Sequence, residues 1–177
     1  QIRQSYPDHG FIAEEGEKGG WFKRPPQAEP AIWWAIDPID GTNNFAHGIP
    51  VFAVSIAALH EGEPIVAVIF EPATDGMFTA IKGGEAQLDG RHIVSGEEQI
   101  GPFASVGLDS HFHDSLPPWV HRIIRQSRFR NLGTTALHLA YVAKGGLAAA
   151  VACTPKLWDI AAGVLIARAA GARVTGW

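Results

Sequence analysis

An α/β (α+β) layered sandwich is the fold class this chain predicts, and three observations carry it. The first half is a run of β-rich segments separated by tight turn dipeptides. The second half alternates short strands with segments whose apolar residues recur at helical spacing. With 46% hydrophobic and 18% charged residues, the chain supplies a core and falls below the usual charged share of about a quarter. Sheets with an apolar face need helices to cover them, which gives a layered domain.

The elements follow in order. Ile2-Arg3-Gln4-Ser5 reads as the tail of a helix, and Phe11-Ile12-Ala13 as a short strand running into Glu14-Glu15-Gly16. Residues 16–31 are rich in Gly and Pro and read as a surface loop. Ala31 to Ile36 is a short apolar strand. Residues 51–59 and 64–71 are β-rich runs joined by Glu61-Gly62-Glu63, a hairpin signal. Thr74-Asp75-Gly76 turns the chain into a strand from Met77 to Ile81, and Gly83-Gly84 and Asp89-Gly90 punctuate two more. Phe103 to Leu108 is a strand; Leu116 to Gln126 carries Trp119, Val120, Ile123 and Ile124 at helical spacing. Phe129 to Leu132 is a short strand, Thr134 to Lys144 a helix ended by Gly145-Gly146, and Leu147 to Ala152 a small-residue strand. Trp158 to Ala170 is a helix with Gly171 as its C′ residue. Ala172 to Thr175 reads as a last strand, so the expectation is one domain over residues 1–177, incomplete at both ends.

Bulk properties exclude several classes. A formal charge of −4 with no Lys/Arg run argues against a nucleic-acid partner. The lone Cys153 rules out an internal disulfide and suits a reducing, cytoplasmic compartment. No apolar stretch nears the roughly eighteen residues of a membrane span.

The chemistry concentrates in Trp33-Trp34-Ala35-Ile36-Asp37-Pro38-Ile39-Asp40-Gly41-Thr42-Asn43-Asn44-Phe45. Asp37 ends an apolar run, Pro38 fixes φ, and Ile39 can turn its carbonyl toward a cation. Asp40 points back at the same space, Gly41 lets the backbone approach a ligand, and Thr42 opens a helix whose N–H groups attract an anion. Hard divalent cations take carboxylate oxygens, and phosphates take helix N-termini. On spacing alone, Asp-Pro and Asp-Gly also make ordinary turns and caps. Glu14 and Glu15, read singly, are solvated loop charges; Asp159, read singly, stabilises the dipole of the last helix. Together these acidic groups occupy junctions where α/β sheets place ligands.

Phe11-Ile12-Ala13-Glu14-Glu15-Gly16, then Trp34 to Phe45, then Leu157-Trp158-Asp159-Ile160-Ala161-Ala162-Gly163 resemble, in order, the three signature segments of the inositol monophosphatase family. The resemblance covers essentially the whole chain. It implies an α-β-α-β-α sandwich, of which the N-terminal helices and the C-terminal strands and helix lie outside this chain. It further implies a Mg²⁺-dependent phosphomonoesterase with two or three Mg²⁺ per site. Glu14, Asp37 and the Ile39 carbonyl would hold one ion. Asp37, Asp40 and Asp159 would hold a second, and a third would contact Glu14 through water. Ile39, Asp40, Gly41, Thr42, Gly133, Thr134, Thr135 and Asp159 would line the substrate. Thr42 and Glu14 would orient and deprotonate the attacking water, with Asp37 completing the catalytic group. A homodimer acting on a small phosphorylated substrate follows from the same resemblance.

Two departures bear on the substrate. Thr135 stands where the family's Gly-Thr-Ala segment has Ala, and Ala152 stands where inositol-cleaving members place a Glu seven residues before the last Asp. Residues 148–156 carry no carboxylate, and Lys156 could face a more anionic ligand. Fructose-1,6-bisphosphate and 3′-phosphoadenosine nucleotides are alternative substrates, though Asn43 argues against the latter, whose enzymes usually carry Lys there. A non-catalytic binding subunit retaining the fold is the alternative from a different class. Elsewhere, His111, His113 and Asp114 read as a surface loop rather than a zinc site. His47 reads as structural, Trp33, Trp34 and Phe45 as packing residues, Cys153 as a small buried hydrophobe and Glu15 as a neighbour of the ligands or a solvated charge.

Overall fold

In the computed structural model, residues 1–14, 32–96, 100–109 and 116–176 are described. The chain runs α1 (Ile2–Ser5), β1 (Gly10–Ala13), β2 (Ile32–Asp40), α2 (Thr42–Ala46), β3 (Ala53–His60), β4 (Glu63–Glu71), β5 (Gly76–Ile81), β6 (Gln87–Leu88), β7 (Arg91–His92), β8 (Ser105–Asp109), α3 (Pro118–Gln126), β9 (Arg128–Arg130), α4 (Thr135–Ala143), β10 (Ala149–Ala152) and α5 (Leu157–Ala169).

Strands β1 to β7 form one sheet in chain order, with β1 parallel to β2 and every later pair antiparallel. The hairpins follow from their turn residues. Glu61-Gly62 and Asp89-Gly90 each place two consecutive residues at positive φ, the type I′ signature that matches strand twist. Strands β10, β8 and β9 form a second, parallel sheet. Helices α4 and α5 pack on each other; α5 lies on β2 to β5, and α4 also reaches β8 and β10. The two helices therefore form the layer between the sheets, and α3 adjoins β9. The layered class read from the sequence is the class observed.

The large sheet's inner face is built for close approach. Ala35, Ala53, Ser55, Ala57, Leu59, Ala67, Ile69, Phe78 and Ala80 are all buried there, meeting Ala161, Ala162 and Ile166 of α5. Small residues let helix and sheet backbones come together at interior packing density. The outer face keeps the apolar alternation of its strands yet leaves Val66, Met77 and Ile81 36%, 47% and 64% exposed. At the far side of the layer, the Tyr141 hydroxyl donates to Glu71 Oε1 (2.6 Å) and Thr74 Oγ1 to Glu71 Oε2 (2.8 Å), so the buried carboxylate of β4 is satisfied by α4 and by its own turn.

Most boundaries shift by one or two residues, and three differences have a physical reason. Thr134 is not in α4 but caps it, its side chain accepting from the Leu137 N–H. The apolar β2 strand continues through Asp40 rather than stopping at Ile36. Residues 172–175 form no strand: α5 ends in a Schellman turn, with Ala172 N–H on Ala167 O and Gly171 N–H on Arg168 O. The following residues pair with no strand among the described residues, and a strand exists only through its ladder.

Candidate functional site

Asp37 and Asp40 sit three residues apart on one strand, a spacing that in unbroken β-structure sends side chains to opposite faces. The ladder between β2 and β3 slips here: Asp37 pairs with Ser55, Asp40 with Ala53. Three steps on β2 thus oppose two on β3, a β-bulge that re-aims the chain. Pro38 suits this place because it has no N–H to lose from the ladder. Both carboxylates turn inward, Asp37 to 1% exposure and Asp40 to 8%.

Each is then held by different elements. Asp37 Oδ1 accepts the Ile39 N–H at 2.9 Å. Asp40 Oδ2 accepts the Ala136 N–H at 2.7 Å and the hydroxyl of Thr134, which fixes it to the first turn of α4. Next along the chain, Gly41 adopts φ +96°, and a Cβ there would lie 3.1 Å from Val51 O and 3.2 Å from Gly133 O. Asn44 closes this junction: its amide donates to Val51 O and Leu132 O, both at 2.7 Å. The Thr42 hydroxyl donates to Ile39 O at 3.0 Å. Gly41→Ala combines a left-handed backbone with crowding against two carbonyls. It is expected to cost about 1–3 kcal/mol, read as a lower urea midpoint at unchanged slope.

The remaining acidic groups arrive from the ends of the chain. β1 pairs Ala13 with Ile36, and the Glu14 N–H donates to Ile36 O at 3.3 Å, so Glu14 follows β1 beside Asp37 at the sheet's edge. Asp159 lies in the first turn of α5, its Oδ2 accepting the Lys156 N–H at 2.7 Å. The helix is seated by Ser55 Oγ donating to Trp158 O at 3.2 Å, and Ser55 is the register partner of Asp37.

The electrostatics record this convergence. The Asp37 carboxyl is pushed up to about 7, first by burial and then by the charge of Asp40, with Glu14 and Asp159 adding and the Ile39 N–H opposing. The like charges of Asp40, Glu14 and Asp159 that weigh on Asp37 are the kind of environment a hard divalent cation would offset. Among the described residues no three His, Cys, Asp or Glu side chains gather tightly enough to form a metal-ligand group by themselves. A cation here would draw on carbonyl oxygen and water as well, the usual habit of Mg²⁺.

The other expected substrate residues lie alongside. Thr134 and Thr135 are buried at 1% and 4% exposure, and Gly133 O faces Gly41. Ala152 ends β10 in register with Asp109 of β8. His47 is exposed and tied to Asn43 O (2.8 Å), a local role. Trp33 packs against the core; Trp34 Nε1–H donates to His9 Nδ1 at 3.0 Å. Phe45 is 51% exposed and meets Phe52 edge-on. Cys153 is half-buried rather than buried, because it stands in the bend after β10 instead of inside the strand. Glu15, His111, His113 and Asp114 lie outside the described residues. The sequence reading missed Asn44 and Ser55. Ser55 was findable as the polar member of the inward-facing alternation Ala53, Ser55, Ala57; the two ties of Asn44 join segments far apart in sequence and left no local signal.

The chain resembles known proteins in both sequence and fold. It is 37% identical over 180 residues to the Nus factor SuhB of Xylella fastidiosa, covering 98% of this chain and 62% of that protein. It is 36% identical over 185 residues to the inositol-1-monophosphatase of Rhizobium meliloti, covering 100% of this chain and 65% of that one. The chain thus spans a little under two thirds of the length of these curated relatives. Its fold superposes on the inositol monophosphatase of Anabaena (Nostoc) with a TM-score of 0.83 at 33% identity, covering 96% of this chain and 68% of that structure. Residues 1–177 match the inositol monophosphatase family throughout, and the chain belongs to that family.

Proposed function

We propose that the protein hydrolyses a phosphate monoester of a sugar or polyol, inositol phosphates included, and does so with Mg²⁺. The observation that carries this reading is the inward-turned Asp37, its carboxyl raised by burial and then by Asp40, Glu14 and Asp159, four residues before Gly41-Thr42. Glu14, Asp37, the Ile39 carbonyl, Asp40 and Asp159 would hold the two or three ions. Bound there, Mg²⁺ would neutralise phosphate charge and make water acidic enough to act near neutral pH.

The chain's own residues supply the rest. Backbone N–H groups of Gly41 and Thr42 hold phosphate oxygens, and the Gly133-Thr134-Thr135 turn, exposed at Gly133 and buried at both threonines, walls the ester. The Thr42 hydroxyl already donates to Ile39 O, so its lone pairs are left to accept a hydrogen bond from the attacking water and aim its oxygen, that proton staying on the water. Glu14 takes the second proton as the water oxygen bonds to phosphorus. The ester P–O bond breaks, and the leaving alkoxide takes a proton from solvent water to depart as the alcohol, the proton held by Glu14 returning to solvent. Phosphoryl transfer needs mainly positioning and charge neutralisation, which such a site offers without a covalent nucleophile. Fructose-1,6-bisphosphate and 3′-phosphoadenosine nucleotides remain substrates of the same class, and a cytoplasmic homodimer belongs to the same reading.

A second reading is a non-catalytic binding subunit on the same fold, and the name Nus factor carried by the Xylella relative favours it. A phosphate-release assay on a panel of phosphomonoesters decides between them. The full-length protein is expected to release phosphate with Mg²⁺ and to lose that activity to a chelator. Absence of release from every ester would sink the catalytic reading. Among the described residues, no helix is long and apolar enough to cross a membrane.

A further inference from the structure

The catalytic groups proposed above are acidic, which poses a problem for any substrate bearing more than one negative charge. The connection from β10 to α5 answers it. From Ala149 to Asp159 the sequence holds one cation, Lys156, and no acidic residue before Asp159. Lys156 is the N-cap of α5, its N–H donating to Asp159 Oδ2 at 2.7 Å, so its backbone touches a member of the carboxylate cluster. Its ammonium lies 5.3 Å from the centroid of the Trp158 ring, a cation–π contact. Trp158 is itself 7% exposed and fixed through its carbonyl to Ser55, the register partner of Asp37. The side chain of Lys156 is exposed, yet its base is tied to the site at both ends of this short path.

Resting on the phosphatase reading, we propose that Lys156 is a specificity-determining residue that selects phosphate esters carrying a second anionic group, a phosphate or a carboxylate, over esters whose remainder is neutral. The acidic cluster handles the reacting phosphate, and Lys156 receives the other anion at the rim. A neutral polyol offers the ammonium only uncharged hydroxyl oxygens to accept its hydrogens. A second phosphate or carboxylate gives instead a charge-assisted hydrogen bond, about twice as strong as a neutral one. The interaction lies away from the bond being broken, so it strengthens substrate and transition state alike and appears in KM rather than kcat.

The test uses full-length protein with Mg²⁺, fructose 1-phosphate and fructose 1,6-bisphosphate as matched substrates, and the variants Lys156→Ala and Lys156→Arg. The wild type is expected to prefer the bisphosphate in kcat/KM. Lys156→Ala should reduce that preference about tenfold, through KM, and Lys156→Arg should keep it. Added salt should erode the preference in the wild type and leave Lys156→Ala little changed. A wild type that prefers the monophosphate, or an equal loss on both esters in Lys156→Ala, overturns the assignment of Lys156 while leaving the phosphatase standing. No hydrolysis of either ester, nor of the wider panel, overturns the phosphatase reading itself and this inference with it.

Discussion

Asp37→Asn is expected to abolish phosphate release and, in the same molecule, to make the cation-free protein more stable above neutral pH. The first effect follows from removing the carboxylate common to both proposed ion sites; loss of one such preorganised charge costs at least about a hundredfold in rate. The second follows from linkage. The Asp37 carboxyl has an ordinary value of 3.8 and stands at about 7 in the fold. A group whose native value is raised contributes its stability below the unfolded value and loses it as pH rises toward the native one. The native protein without cation should therefore weaken between about pH 4 and 7 and stay weakened above that range. Asparagine never ionises, so the variant avoids this loss and should exceed the wild type by about 1–3 kcal/mol at pH 8. At pH 4 the two should nearly coincide. Adding Mg²⁺ reverses the order, because a ligand that binds only the native wild type stabilises it by mass action. Thermal melts of both proteins at pH 4 and 8, with and without Mg²⁺, read all of this. A variant no more stable than the wild type at pH 8 without cation would show that burial and like charge do not act on Asp37 as described.

The second large effect lies in the helix layer. A Cβ on Gly163 would stand 2.6 Å from both Cβ and Cδ1 of Leu139, so α4 and α5 touch through a position that holds no side chain. Alanine is the better helix former by about 0.5–1 kcal/mol, which favours Gly163→Ala in isolation. Forcing atoms into a packed contact costs about 1–3 kcal/mol, and here the nearest atom is the fixed Cβ of Leu139 rather than a movable tip. Overpacking should win: Gly163→Ala is expected to lose about 1 kcal/mol net, and Gly163→Val, which adds two methyls and a stiff rotamer, about 3 kcal/mol or more. Urea denaturation monitored by circular dichroism measures both. A stabilised Gly163→Ala would mean that the two helices separate at little cost.

What was legible in the sequence was whatever is decided locally. Glu61-Gly62 and Asp89-Gly90 declared their hairpins because few residue pairs accept two successive left-handed conformations. Asp37, Asp40 and Asp159 were legible as candidates because each stands where a strand or a helix meets a loop. What the sequence did not declare was register. Nothing in Asp37-Pro38-Ile39-Asp40 states that β3 will slip one residue against it, yet that slip is what brings both carboxylates to one face. The expected strand at residues 172–175 failed for the same reason: β-propensity is a property of a segment, while a strand is a property of a pair.

The seating of α4 has a consequence for the site as a whole. At one end the helix grips Asp40 through Ala136 and Thr134; farther along it grips Glu71 through Tyr141. Asp37, by contrast, answers to its own strand, through Ile39. The gap between the two carboxylates is therefore a ruler whose one jaw is the sheet and whose other jaw is a helix clamped at two points. A substitution such as Gly163→Val, though it touches neither carboxylate, would slide that second jaw, and the spacing between Asp37 and Asp40 would shift with it.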